Sequence, residues 1–245
     1  MGQYFYLFAI IFLGSFVQGV SGFGIILVSL PLLALKYDVR FLVPLVSLCA
    51  LTLNALISIQ LRKSIQLKTV LSMLLASLVG LPFGVYALKH FSANILLFAL
   101  GAIVLIYVGF LKFMDGKTMH LHPVWAYIAG LSGGICGGSV GANGPPVIMY
   151  LYAQPWKADR IRGTMVSYFL FAGLANSISH FMGGLITRDV VLALSAGLPA
   201  TILGKVCSGF VSHRLKEQQI RFFVRILICF LGITLIAKSL LSHAS

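Results

Sequence analysis

Gly133-Gly134-Ile135-Cys136-Gly137-Gly138-Ser139-Val140-Gly141-Ala142-Asn143-Gly144-Pro145-Pro146 cuts the middle of a stretch, 123–156, that holds no Lys, Arg, His, Asp or Glu. As one helix that stretch would run about 50 Å, against a hydrocarbon core of about 30 Å. It is too long for one crossing, and glycine interrupts it at its centre. Two half-helices joined by irregular backbone are predicted, with proline placed for the first turn of the second. The stretch 1–35 has the same form, broken at Gln18-Gly19-Val20-Ser21-Gly22-Phe23-Gly24. A kinked single helix, or glycine-mediated packing against a neighbour, is the plainer alternative.

Around these two breaks the chain is apolar to a degree that decides its class. Of 245 residues, 59% are hydrophobic and 9% charged, against about 25% charged in a soluble domain. The carboxylates are Asp38, Asp115, Asp159, Asp189 and Glu217. So little charge cannot cover a water-facing surface, and so many Leu, Ile, Val and Phe exclude disorder. Other charge-free runs at 41–61, 69–88, 91–111, 163–179, 190–204 and 226–237 are continuously apolar and do not alternate, so helices and not barrel strands are expected. The N-terminus lacks a basic n-region and a small-residue cleavage pattern, and it reads as retained. Cys49, Cys136, Cys207 and Cys229 have no paired spacing, so neither a disulfide framework nor a metal site is expected.

Two similar halves follow the breaks. Gly80-Leu81-Pro82 recurs as Gly197-Leu198-Pro199, and Asn54 recurs as Asn176. The expected fold is an all-α polytopic membrane protein of two inverted repeats, each a re-entrant broken hairpin plus three transmembrane helices. The first repeat, 1–114, has a hairpin at 4–35 and spans at 41–61, 69–88 and 91–113. The second, 123–241, has a hairpin at 123–154 and spans at 163–185, 190–211 and 222–241. Together they make one integrated membrane domain.

The net charge of +13 lies in short clusters between apolar runs, which suits loops at a membrane and not nucleic acid. If each broken segment enters and leaves on one side, one face carries Arg62, Lys63, Lys68, Lys112, Lys117, Lys157, Arg160, Arg162, Arg214, Lys216, Arg221 and Arg225. The other carries only Lys36, Arg40, Lys89, Arg188 and Lys238. Full crossings would divide the same charges almost evenly. The asymmetry favours hairpins, with the basic face in the cytoplasm.

Gln18 to Gly24 with the following Leu30-Pro31, the break Gly133 to Pro146, the segment Arg160 to Asn176 and the paired Gly-Leu-Pro elements resemble the TauE/SafE-type sulfite exporters, also called the toluene sulfonate uptake permease family. The likeness covers nearly the whole chain. It implies a multi-pass transporter in the cytoplasmic membrane of a bacterium, moving sulfite, organosulfonates or related small organic anions, with export favoured over uptake. Ser-Val-Gly-Ala-Asn-Gly-Pro-Pro stands where Gly-Ile-Gly-Gly is more usual.

The residues themselves suggest how an anion could be held. Half-helix N-termini offer unpaired N–H groups and about half a positive charge each, without the desolvation cost of buried cations. The candidate substrate-binding set is Gln18, Ser21, Gly22, Phe23, Gly24, Asn54, Ser139, Gly141, Asn143, Gly144, Pro145 and Asn176. For Asn54 and Asn176, hydrogen bonding between helices is the equal alternative. Lys205, His180 and Cys136 are candidates for the pathway or for coupling; snorkelling suits the first two as well and apolar filling the third. No carboxylate falls inside a span, which leaves protons as a coupling ion only through His180, Lys205, a water path or the substrate itself. No cofactor and no metal is expected, and the oligomeric state is open. Paired carboxylates and His-Glu-x-x-His are missing, so an enzyme is not expected. A passive anion channel built from the same donors is the main rival.

Overall fold

A computed structural model describes residues 2–61, 64–114, 118–212 and 217–241, with side chains over 4–59, 64–114, 118–210 and 226–240. Among the described residues the regular elements are ten α-helices, with no strand. The first break separates α1 (Gly2–Ser21) from α2 (Ile25–Leu33), and the second separates α6 (Val124–Val140) from α7 (Gly144–Ala153). Both long helices end on a left-handed glycine, Gly22 at φ 88° and Gly141 at φ 70°. A Cβ is strongly disfavoured there, so the glycines make the reversal possible.

Each pair folds back as a hairpin. Tyr6 Oη donates to Leu32 O at 3.0 Å and Ser29 Oγ to Ile10 O at 3.1 Å, tying α2 along α1. In the second pair Met119 N donates to Ala153 O at 2.6 Å, and a Cβ at Gly133 would meet Val147 Cγ2 at 3.2 Å. The arms are unequal, 20 and 9 residues in the first hairpin, 17 and 10 in the second. A 20-residue arm extends about 30 Å, so the long arms overshoot the middle. The two turns therefore pass one another and do not meet tip to tip: Gly22 lies against Arg162 and Met165, whereas Gly141 faces Ser47 and Ile26.

The remaining helices are α3 (Val39–Leu61), α4 (Leu67–His90), α5 (Ala93–Phe113), α8 (Ala158–Met182), α9 (Arg188–Ser212) and α10 (Glu217–Leu241). Windows in α1, α3, α4, α5 and α9 are long and apolar enough to cross a membrane, while α6 and α10 carry shorter apolar segments. Helix α8 opens on Asp159, Arg160 and Arg162, ahead of its apolar part, because a basic first turn can sit at the interface. Phe83, Phe210, Phe230 and Met182 are exposed on the outside of the bundle, where lipid replaces water as the solvent.

The main interfaces are exchanged between halves: α1 packs on α9, α6 on α4, α3 on α8 and α5 on α10. The α4–α6 seam is a backbone contact. A Cβ on Gly134 would lie 2.9 Å from both C and Cα of Ser77, and one on Gly138 would lie 2.7 Å from Leu81 O. Lipid offers no hydrophobic drive between helices, so close approach over small residues supplies the dispersion that holds them.

The loops sort into two ends. Arg40 donates to Leu88 O and Phe91 O, Lys238 Nζ to Ala34 O and Ser239 Oγ to Asn94 O, gathering one end. Gln66 N donates to Thr164 Oγ1 at 3.0 Å at the other, where Lys68, Lys157 and Arg160 also lie. Arg62, Lys63, Lys117, Arg214 and Lys216 of the sequence argument, and the side chains of Arg221 and Arg225, lie outside the described residues.

Candidate functional site

Helices α3 and α8 cross where a Cβ on Gly173 would stand 3.7 Å from Leu51 Cδ1. Asn54 and Asn176 each lie three residues from that crossing, about 4.5 Å along their helices. Between them is a cavity that both breaks also line, through Gln18, Phe23 and Gly24 on one side and Asn143, Gly144 and Pro145 on the other. It measures about 40 Å³. A water needs about 10–15 Å³ of such space, so there is room for about three. An ion of four or five heavy atoms is on that scale. None of the lining residues is charged.

The hydrogen bonds fix which groups are free to hold a guest. Ile25 N–H can only donate, so the atom of Gln18 facing it at 3.0 Å is the carbonyl Oε1. Gln18 Nε2 then donates to Asn54 Oδ1 at 2.8 Å, which leaves the Nδ2 of Asn54 as its remaining donor. The side-chain amides of Asn143 and Asn176 carry no hydrogen bond among the described residues, although 6% and 3% of each residue is exposed. Ser47 also lines the cavity, and its buried Oγ has no partner. Unpaired amides open to one cavity, with an unpaired hydroxyl beside them, suit a polar guest. The backbone contributes less at α7 than the dipole picture suggests. Pro145 and Pro146 have no N–H, so Gly144 and Val147 are its first-turn donors.

Several expected residues stand elsewhere. Ser21 Oγ lies against the carbonyls of Val17 and Phe23, with one proton to give to either, and Ser139 Oγ donates to Ile135 O at 2.7 Å, each turned onto its own chain. Gly22 and Gly141 shape the turns and do not line the cavity, and neither does half-buried Cys136. His180 Nε2 lies 3.3 Å from Gly138 O; a carbonyl only accepts, so that nitrogen carries the proton and closes the end of α6. Lys205 lies beside Gly19 and Arg162, outside the cavity. Ser47 and Phe169 belong to the lining and carried no sequence signal beyond being apolar-span residues.

Arg162, counted in the sequence only as loop charge, has a structural task. Its Nη2 donates to Gly19 O at 3.1 Å and Val20 O at 3.3 Å, carbonyls left unpaired where α1 stops. The guanidinium thus offsets the negative end of the α1 dipole. Arg162→Gln is expected to cost about 1–2 kcal/mol, seen as a lower melting temperature in detergent, while Arg160→Gln on the exposed side of the same turn leaves it within error.

No solved structure matches the chain. The probable sulfite/organosulfonate exporter TauE of Cupriavidus necator is 26% identical over 211 residues, an alignment covering 78% of this chain and 79% of that protein. The family model described as sulfite exporter TauE/SafE matches residues 7–235. Over almost its entire length, and with it the cavity where the two broken segments converge, this multi-pass chain belongs to the TauE/SafE sulfite exporter family.

Proposed function

We infer that the protein exports a small sulfur oxyanion or short organosulfonate, through the cavity at the α3–α8 crossing, across the cytoplasmic membrane. The observation that carries this reading is the convergence of three carboxamides, Asn54, Asn143 and Asn176, with both half-helix N-termini on one uncharged cavity. Such donors stabilise an anion without a fixed cation that would hold it too tightly to release. The basic end of the bundle faces the cytoplasm on this reading.

Alternating access is the corresponding mechanism, with α1–α5 and α6–α10 as inverted repeats. Its support is the reciprocal packing: the long arm of each hairpin leans on a span of the other half, while α3 meets α8 and α5 meets α10. Rocking one half against the other would then open the same cavity to either side.

The test is flux in proteoliposomes. Sulfite should enter saturably, and an opposing load of unlabelled sulfite should accelerate exchange. Flux linear in concentration with no exchange would point to a channel. No sulfite or methanesulfonate flux above that of empty liposomes would end the reading.

A further inference from the structure

The two breaks share one backbone plan and differ at one side chain. In each, the left-handed glycine donates its N–H four residues back, Gly22 to Gln18 O at 2.7 Å and Gly141 to Gly137 O at 3.0 Å. In each, the short helix starts three residues after that glycine, at Ile25 and at Gly144. In each, the position four residues back faces an asparagine of a neighbouring span, Asn54 for Gln18 and Asn176 for Gly137.

In the first break the Gln18 side chain fills this place. Its carbonyl takes the first N–H of α2 and its amide nitrogen takes Asn54 Oδ1. That helix start is therefore already capped from within the protein. In the second break Gly137 supplies no side chain at this position. A Cβ there would meet Asn176 Nδ2 and Asn143 Cβ, both at 2.9 Å, so the two residues whose amides have no partner close directly on this glycine. Asn143 sits at the N-cap of α7 yet makes no side-chain capping bond.

We propose that the protein binds a single anion, in the second break, and that Gln18 permanently occupies the equivalent place in the first. The bound group is a compact oxyanion with at least two acceptor oxygens, one for the Gly144 end of α7 and one for the amides of Asn143 and Asn176. The two-fold plan of the breaks would otherwise offer two equivalent sites and two bound charges in one cavity. Filling one with a neutral carboxamide removes that repulsion and leaves Asn54 a supporting role. The proposal rests on the anion-transport reading and narrows it to named donors.

The experiment is calorimetric titration of the purified protein in detergent with sodium sulfite kept under inert gas, with methanesulfonate in parallel. The wild-type chain should bind one anion. Asn176→Leu removes a donor to a charged guest and should weaken binding by about 10- to 100-fold. Asn54→Leu should weaken it by a smaller factor than Asn176→Leu. Gly137→Gln should push Asn143 and Asn176, on which its Cβ would press, out of their places and abolish saturable binding. Its own melting curve is measured alongside, and Asn176→Leu, which keeps the branching and number of side-chain heavy atoms, gives an independent answer if the glutamine prevents folding. Two anions per wild-type chain, or a loss at Asn54→Leu equal to that at Asn176→Leu, would overturn the inference while leaving the transport reading intact. A wild-type protein that binds neither anion overturns both.

Discussion

Gly134→Val is expected to abolish the assembled protein, read as loss of the monodisperse peak in detergent and of its cooperative melt. Gly134 faces Ser77 across the α4–α6 seam, with backbone atoms of Ser77 2.9 Å from where a Cβ would sit. Those atoms belong to a helix backbone and cannot turn aside as a side-chain tip can. The helices must separate, and separation also loosens the contacts at Gly80, Gly84, Gly130 and Gly138 along the same seam. Overpacking a single core site costs about 1–3 kcal/mol; a shift that spoils five contacts at once should exceed that and consume most of a stability of about 5–15 kcal/mol. The seam also supports the long arm of the second hairpin, so Asn143 and Gly144 would lose their placement with it. Gly109→Val is the matched control: it makes the same change on α5, where nothing lies within 4 Å of the added carbon. A Gly134→Val protein with the yield and melting temperature of Gly109→Val would show that the seam tolerates bulk and that backbone contact is not what holds α6.

The parts of this architecture that could be read from the residues are those imposed by the membrane. Charge-free runs too long for one crossing, each cut by glycine, had few physical outcomes, and the hairpins of α1–α2 and α6–α7 are among them. Asparagine is costly within an apolar span, so Asn54 and Asn176 stood out, and both reach the cavity. Serine is different, because near a helix end it bonds its own preceding turn whatever the tertiary fold. Ser21 and Ser139 do this, and their sequence position beside the breaks therefore misled. Ser47 was invisible for the same reason in reverse: only the surrounding helices decide that its hydroxyl stays unpaired at a cavity. The depth of the turns also escaped, since it depends on where each long arm stops against its neighbours, as α1 does under the guanidinium of Arg162. Loop charge and helix cap look alike in a sequence.

Sulfite flux at fixed total concentration is expected to fall as pH rises, by about tenfold per pH unit once the second ionisation of sulfite is passed. The reason lies in the lining, which holds no charged side chain. The electrostatic cost of taking an ion out of water grows with the square of its charge, so a dianion loses about four times the solvation of a monoanion. Carboxamides and helix ends worth about half a charge each can offset one unit of negative charge, not two. On this reading hydrogensulfite is the form expected to be carried, and its fraction shrinks as the pH climbs. Methanesulfonate keeps one negative charge throughout this range, so its flux should stay level and serves as the internal reference for protein integrity. Sulfate, a dianion across the same range, should not compete. A single negative charge leaving the cell also moves down an inside-negative potential, worth about 2.3 kcal/mol per 100 mV, so export on this scheme needs no carboxylate relay. Proteoliposomes buffered symmetrically at a series of pH values, at sulfite concentrations well below saturation, measure the profile. Sulfite flux that stays level or rises with pH while methanesulfonate is unchanged would mean the dianion is carried, and the uncharged lining would then be the wrong explanation of selectivity.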